Sequence, residues 1–116
     1  MITKVLKNSF ATALAGTSFV SPTHVAWGSG TTSATEDDTT LGTETLRKTI
    51  SDIVVNGATT EFTSTIATTE LIGSTITEIG LLNASSVGSL SLRDVFGSIE
   101  KTNSFNVDSI IQITIL

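Results

Sequence analysis

The sequence contains no cysteine and no tyrosine, and it has one proline and one histidine. Without cysteine, the chain can form neither a disulfide bond nor a thiolate metal site. The lone histidine, His24, has no second imidazole with which to build a histidine metal site, and it lacks the partners of a catalytic triad. These shortages leave no group of residues typical of catalysis, and we predict that the protein is not an enzyme.

Charge is also sparse. Charged residues make up 15% of the chain, and the formal net charge is -5. The six basic residues are scattered, so no continuous basic stripe is available to bind phosphates, and a nucleic-acid partner is not expected. Serine and threonine together supply about a third of the residues. A polar but weakly charged chain of this kind favours strands over helices and suits a particle surface or an extracellular surface better than a cytosolic enzyme.

Long apolar runs are missing from the sequence as well. No run approaches the ~20 residues that a membrane-spanning helix needs, so membrane insertion is not expected. The N-terminal segment "MITKVLKNSFATALAG" carries two lysines, a modest apolar run and "ALA" before Gly16, as a signal peptide would. The apolar run is interrupted by Asn8, Ser9 and Thr12, and this favours a helix of the folded domain instead.

The same N-terminal segment has apolar residues at helical spacing. They are Ile2, Val5, Leu6, Phe10, Ala13 and Leu14. This spacing predicts a short amphipathic helix within residues 1–16, with Gly16 as its stop. The apolar stripe can pack on the chain's own sheet or dock on a neighbouring subunit, and the sequence leaves both alternatives open.

The rest of the chain carries signals of strands and turns. Residues 17–46 indicate a short strand, "PTHVAWGSG", and a polar acidic loop. Residues 47–116 indicate antiparallel strands, beginning with a hairpin in which "NG" separates "TISDIVV" from "ATTEFTSTIATTE". Three further strands follow, in "STITEIGLLNA", "GSLSLRDVF" and "VDSIIQITIL". We therefore predict a single domain over residues 1–116, mainly β, as an antiparallel β-sandwich with one short N-terminal amphipathic helix.

Motifs that could bind a ligand or a metal ion are incomplete. The "EDD" run at 36–38 lacks the alternating oxygen ligands and the glycine of a calcium-binding loop. The "GSG" at 28–30 opens into a threonine-rich loop and not into a helix, unlike a phosphate-binding loop. No serine stands in a G-x-S-x-G motif. We predict no catalytic residue, no cofactor and no metal site.

One carboxylate, Glu78, lies in an otherwise apolar strand. It shares a strand face with Gly80 and Leu82, and if that face is buried, Glu78 needs a cationic partner. We predict a buried structural ion pair between Glu78 and Arg47. In the alternative, Glu78 faces solvent and the odd-numbered residues of this strand lie inside.

Several segments together follow one layout: an N-terminal helix, a strand ending in W/V-G-x-G-T, an L-x-x-E-x-x-R segment and a β-rich half. The matching segments are "AWGSGTT" (26–32), "LGTETLR" (41–47), "EFTSTI" (61–66), "ITEIGLLNA" (76–84), "GSLSLRDVF" (88–96), "IEK" (99–101) and "IIQITIL" (110–116). In this layout the chain resembles small tailed-phage virion proteins of the tail-fibre or baseplate-associated type. One departure is Leu82, where the pattern has an aromatic residue, and it affects packing more than role.

The resemblance implies a bacteriophage structural protein located in the virion, in the tail, the baseplate or the capsid surface. Such a protein acts as an adaptor, a decoration protein or a host-attachment module, and the resemblance implies no catalytic residue. We expect a closed homo-oligomer, for example a trimer, that contacts other virion proteins and a host glycan or receptor. Candidate interface residues lie in the N-terminal helix and the last strand: Ile2, Val5, Leu6, Phe10, Ile111, Ile113 and Ile115.

A carbohydrate-binding β-sandwich is the competing interpretation. Such a module needs an aromatic platform for the sugar, and this chain has one tryptophan and no tyrosine. Trp27, beside the glycines of residues 28–30, is the one plausible stacking residue, although a tryptophan in such a place more often belongs to the core. Glycan binding that Trp27→Ala abolishes would favour this interpretation.

Overall fold

A computed structural model describes residues 1–19 and 21–116 of the protein. In those residues the chain forms one helix and seven strands. The elements in chain order are the helix α1 (Lys4–Leu14) and the strands β1 (His24–Gly28), β2 (Glu44–Thr49), β3 (Asp52–Asn56), β4 (Thr59–Ile66), β5 (Thr75–Leu82), β6 (Leu90–Glu100) and β7 (Val107–Thr114). Among the described residues, no helix has the length and apolar character that crossing a membrane requires.

The helix α1 is bounded by residues that favour its two ends. Thr3 is the N-cap, and its side-chain oxygen accepts a hydrogen bond from the backbone N–H of Leu6 at 3.4 Å, which satisfies one of the free donors of the first turn. Gly16 follows the last turn with a φ of 86°, in the left-handed region that glycine adopts without steric cost. The predicted helix and its stop at Gly16 are confirmed.

The helix α1 packs on the chain's own sheet. The hydroxyl of Thr3 donates to the backbone carbonyl of Leu90 at 2.6 Å, and Ile2 forms an isolated β-bridge with Leu92. Leu6 is 2% exposed and belongs to the main core. The sequence left open whether the apolar stripe packs on the chain's own sheet or on a neighbouring subunit, and in the structure it packs on the chain's own sheet.

The strands form two antiparallel sheets. Sheet A has the strand order β2-β1-β5-β6 and sheet B has the order β3-β4-β7. The main core lies between the sheets and includes Trp27, Phe62, Ile66, Leu81 and Ile111. The antiparallel β-sandwich with one short N-terminal helix is therefore confirmed.

A second, smaller core lies on the outer face of sheet A. It consists of Ala26, Leu41, Leu82 and Leu90. Leu41 comes from the segment 29–43, which crosses this face and which we call the covering loop. Because the covering loop shields the outer face and the core covers the inner face, the middle strands β1 and β5 are buried on both sides.

The hairpin is confirmed, but the strands before it differ from the prediction. β3 pairs with β4 from Asp52↔Thr63 to Asn56↔Thr59. The segment "TISDIVV" is not one strand, because the chain leaves sheet A after Thr49 and enters sheet B at Asp52. β2 also begins at Glu44, so the polar loop ends before the predicted position 46. The sequence of β2 is polar because this strand lies at a half-exposed sheet edge, and its apolar alternation is correspondingly weak.

Candidate functional site

The most concentrated polar chemistry of the described chain surrounds Glu78, on the outer face of sheet A beneath the covering loop. Glu78 is 0% exposed. A register shift between Ile76 and Glu78 interrupts the pairing of β5 with β6. Next to this shift, the hydroxyl of Thr77 donates to the backbone carbonyl of Gly30 at 2.8 Å. Two consecutive residues of β5, Thr77 and Glu78, therefore bond to the same loop.

The carboxylate of Glu78 accepts four hydrogen bonds. Three come from backbone N–H groups of the covering loop: from Gly30 at 2.7 Å, from Gly42 at 2.8 Å and from Thr43 at 2.8 Å. The fourth comes from Nε of Arg93 at 2.8 Å. Both ends of the loop are thus tied to one carboxylate.

Arg93 lies on β6 and is 2% exposed. Besides its bond to Glu78, its guanidinium donates to a carboxylate oxygen of Asp38 at 3.0 Å and to the backbone carbonyl of Thr32 at 2.9 Å. The middle of the covering loop is held by these two contacts. A guanidinium suits this position because its planar donors can serve several acceptors at once.

The ionised forms of this cluster are favoured despite burial. Burial alone raises the pKa of Glu78, but the guanidinium and the three backbone donors outweigh it, so the pKa lies below its ordinary value of 4.5. Burial likewise lowers the pKa of Arg93, and the two carboxylates beside it raise that pKa above its ordinary value. The pKa of Asp38 is held below its ordinary value, first by the backbone N–H of Thr35 and then by Arg93. All three groups are charged at neutral pH.

Close packing in this cluster requires glycine. A Cβ atom added at Gly30 would lie 2.8 Å from Cδ of Glu78, and one added at Gly28 would lie 2.6 Å from its Oε2. Both distances are shorter than any normal contact of a carbon atom. The "GSG" segment is therefore glycine-rich because the backbone has to approach a buried carboxylate.

The covering loop also contacts the helix α1. The backbone N–H of Lys4 donates to the carbonyl of Glu36 at 2.8 Å. Lys4 forms an ion pair with Asp37 at 2.7 Å, and Lys7 forms one with Glu36 at 2.7 Å. The acidic "EDD" run thus has cationic partners within the chain. Glu36 and Asp37 pair with lysines of the helix, and Asp38 pairs with Arg93.

The predicted ion pair between Glu78 and Arg47 is wrong in its partner, although the burial of Glu78 is correct. Arg93 lies on β6, which pairs directly with β5, and it sits opposite Gly80. Arg47 lies on β2, which is separated from β5 by β1. Arg47 instead pairs with Glu44 at 2.7 Å. Diagonal neighbours on adjacent strands are within reach of a long side chain, whereas residues two strands away are not.

The structure places Arg47 at a turn. Its guanidinium donates to the backbone carbonyls of Ala84 and Val87, both at 2.9 Å. Arg47 therefore fastens the turn between β5 and β6 to the edge of sheet A.

The predicted ligand contact at Trp27 is also incompatible with the structure. Trp27 is 1% exposed, and its indole N–H donates to the hydroxyl of Ser109 at 3.0 Å. A ring packed between the sheets cannot stack on a sugar at the surface. His24 is half-buried at the start of β1, where its Nδ1 lies 2.7 Å from the hydroxyl of Thr23.

The predicted interface residues divide into two groups. Leu6, Ile111 and Ile113 are buried in the chain's own core, so they are not available to a partner, and this part of the prediction is wrong. The others are Ile2, which is half-buried just before the helix, Val5 and Phe10, which are half-buried on the helix, and Ile115, which is 62% exposed. The alternation of apolar and polar residues identified the apolar face of β7. It could not show that this face is covered by other residues of the same chain.

Sequence reasoning missed a different set of exposed apolar residues. They are Ile53, Val54 and Val55 on β3 and Ile110 on β7. The signal that could have found them is the apolar "DIVV" run, which contains no lysine, arginine or proline of the kind that protects sheet edges.

The cluster around Glu78 has the chemistry of a structural clamp. Among the described residues, no buried side-chain nitrogen or oxygen lacks a hydrogen-bond partner, and no group of three acidic, histidine or cysteine side chains could hold a metal ion. With all its lone pairs engaged, Glu78 has no position left for a substrate proton. No protein-family model and no curated protein sequence matches the chain.

Proposed function

We propose that this chain is a structural protein of a tailed-virus particle, a tail-fibre, baseplate or decoration module without catalytic activity. It acts as a homo-oligomer, docks onto other virion proteins and contributes to host attachment. The proposal combines the layout of the sequence, which resembles such proteins, with the surface properties of the fold.

The observation that carries the proposal is the composition of the edges of sheet B. β3 is exposed along its whole length and presents Ile53, Val54 and Val55, which are 50%, 47% and 69% exposed. On the opposite edge, β7 presents Ile110, which is 61% exposed. A sheet edge with exposed apolar side chains is a template for pairing with another chain, and the only charge on each of these edge strands is one aspartate, Asp52 on β3 and Asp108 on β7. A protein that works inside an assembly uses such an edge, whereas a free monomer is endangered by it.

The clamp beneath the covering loop supports the same proposal. Its charged groups hold the covering loop on sheet A. A loop that is fixed in this way gives the subunit a rigid surface, which suits a protein that is part of a larger assembly. A sugar-binding module is the second candidate, but Trp27, the residue that the sequence offered for it, is buried. The structure therefore favours the assembly proposal over the sugar-binding one.

The first experiment is the solution mass of the purified chain across a dilution series, by light scattering coupled to size exclusion. We expect a defined oligomer that persists on dilution, because each contact would remove apolar surface from water and this burial stabilises the oligomer. A monomer at every concentration would contradict the self-assembling module.

The location is tested on particles. Mass spectrometry of purified virus particles should detect peptides of this chain in a fixed ratio to the major structural proteins. Its absence from particles, together with glycan binding in an array, would favour the sugar-binding candidate.

A further inference from the structure

Sheet B has one strand fewer than sheet A, and part of the inner face of sheet A is left without full cover. Sheet A has four strands and sheet B has three. On the β5–β6 side, Ile79, Phe96 and Ile99 pack against the main core but remain half-buried. A cleft of about 550 Å³ opens between these side chains and the strand β7.

The strand β7 presents a free backbone edge to this cleft. Its neighbour in sheet B is β4, on the other side. Beside the C-terminal end of β7 lies the helix α1, since Phe10 and Ala13 line a separate groove there with Ile113 and Ile115. The edge is therefore open over residues 107–112, a length of roughly 20 Å at about 3.3 Å per residue. A strand added along it would be the fourth strand of sheet B.

The side chains of β7 determine which kind of strand suits this edge. The register with β4 places Ile111 opposite Phe62, and both are buried, so the odd-numbered residues of β7 point inward. Asp108, Ile110 and Gln112 point outward and are exposed. An added strand would therefore meet an acidic, an apolar and a polar side chain in a row on its outer face.

The charge of the cleft has one sign. Its lining includes two carboxylates, Asp94 and Asp108, and no lysine, arginine or histidine among the residues described. Asp94 already pairs with the N-terminal ammonium group of Met1. Asp108 accepts a hydrogen bond from the hydroxyl of Thr65 at 2.8 Å, a neutral donor. A cationic side chain opposite Asp108 would supply the opposite charge that favours a cross-strand pair.

We propose that residues 107–112 of β7 bind an extended segment of a different protein, which adds to sheet B as its fourth strand. The inward side chains of this segment are apolar and contact Ile79, Phe96 and Ile99. Its outer face carries a lysine or arginine opposite Asp108 and an apolar residue beside Ile110. In such β-strand addition, backbone hydrogen bonds supply affinity and side-chain pockets supply specificity. The inference deepens the proposed docking onto other virion proteins and rests on that proposal.

An extended segment suits the cleft better than an edge strand of a second folded copy. The place beside β7 is already covered by the inner faces of β5 and β6, which line the cleft. A strand that enters it therefore has no room to bring a second sheet of its own. A segment without folded neighbours meets no such obstacle.

Synthetic peptides test the site directly. The probe is a fluorescently labelled peptide of seven residues, with valine at its even positions, lysine at its third position and threonine at the others. One matched peptide replaces the lysine with glutamate, and another replaces the central valine with proline, which disrupts the extended ladder. We expect fluorescence anisotropy to show that the lysine peptide binds about fivefold more tightly than the glutamate peptide. The proline peptide should bind at least about tenfold more weakly.

A charge reversal locates the bound peptide. Asp108→Lys should invert the preference, so that the glutamate peptide binds more tightly than the lysine peptide. The matched control is Asp52→Lys on the other edge strand, β3, which changes the net charge by the same amount and should leave the preference as it is. Both aspartates are exposed, so both variants should fold.

Each remaining outcome contradicts the site. An inversion by Asp52→Lys in place of Asp108→Lys would put the peptide on β3. A lysine peptide that does not bind, or a proline peptide that binds as tightly as its parent, would exclude strand addition at this edge. Binding that appears only when dilution dissociates an oligomer would show that a second copy occupies the cleft.

The virion proposal is tested separately. A chain that is present in purified particles but binds no peptide would overturn this site alone. Absence of the chain from particles would contradict the proposed function, whatever the peptides do.

Discussion

At Glu78, burial and hydrogen bonding act on the same carboxylate in opposite directions. Removing a charged carboxylate from water carries a large penalty, and three backbone N–H donors together with a guanidinium compensate for it. The compensation is conditional, because its one charged partner, Arg93, is buried as well. A buried pair of this kind says little about net stability, but it makes the loss of one member expensive.

The first prediction concerns the replacement of this carboxylate. Glu78→Gln should lower the free energy of unfolding by about 3–5 kcal/mol, since Arg93 then remains buried with a reduced set of acceptors. The matched control is Glu44→Gln, which removes the partner of Arg47 at an equally short distance but where the carboxylate is 31% exposed. We expect that control to cost about 1 kcal/mol or less. Urea unfolding measures both, and equal losses would contradict the account.

The second prediction concerns acid. The pKa values of Glu78 and Asp38 are lowered in the folded chain, so below their ordinary values the unfolded chain binds more protons than the folded one. Their contribution to stability is therefore complete above about pH 4.5 and is lost as the pH falls through the lower, folded-state values. The free energy of unfolding measured between neutral and acidic pH should show this decline, and Glu78→Gln should make it shallower. A decline of unchanged slope in the variant would contradict the assignment to Glu78.

At the scale of elements, the covering loop is the unusual part of the fold. Residues 29–43 contain no helix or strand, yet they shield one face of a sheet and include the buried side chain of Leu41. The loop is ordered by hydrogen bonds to Glu78 and Arg93 and by ion pairs with the helix α1. Order in this segment therefore depends on residues far away in the sequence.

The third prediction tests the close approach of this loop. Gly30→Ala should destabilise the protein by about 1–3 kcal/mol, because the new methyl group overlaps the carboxylate of Glu78. Gly97→Ala is the control, since a Cβ atom there meets nothing within 4 Å. That control should be neutral or slightly stabilising. Thermal unfolding gives the comparison.

Amide hydrogen exchange gives the local readout for the same variant. The N–H groups of Gly42 and Thr43 should lose protection in Gly30→Ala, because they donate to the displaced carboxylate. Retained protection of both amides would show that the loop does not need the contact at Gly30.

At the scale of the whole molecule, the strand β3 exposes apolar side chains at one edge of sheet B, and a cleft with apolar lining opens between β6 and β7. A sandwich normally covers both inner faces, and here some apolar side chains on the inner side of sheet B, such as Ile53 and Val55, are left exposed. If the chain self-associates as proposed, the stability of the subunit is linked to that association, because a partner that binds the folded state alone stabilises it by mass action.

The fourth prediction follows from this linkage. The midpoint of thermal unfolding should rise with protein concentration in the wild-type chain and should become independent of concentration in Val55→Glu. Val87→Glu should retain the wild-type dependence. Calorimetry over a wide range of concentrations measures it, and a wild-type midpoint that does not move would argue against linked association.

Much of the architecture was predictable because it depends on local patterns. Period-two alternation predicted most of the strands, helical spacing predicted α1, and Asn56-Gly57 predicted a tight hairpin. β2 was missed because a half-exposed edge strand carries polar residues and loses the alternation. The correct partner of Glu78 was not predictable from spacing, since Arg47 and Arg93 are both plausible until strand order is known.

The sequence by itself determined the class of the fold, the presence of one carboxylate in an otherwise apolar strand and the shortage of catalytic groups. These depend on composition and on periodicity, which act within short segments. Only the tertiary structure decided that Arg93 pairs with Glu78, that Glu78 and Trp27 are buried and that β3 is an exposed edge strand. These features depend on which strands lie side by side and on what packs against each face of a sheet. Both are determined by contacts between residues that are distant along the chain.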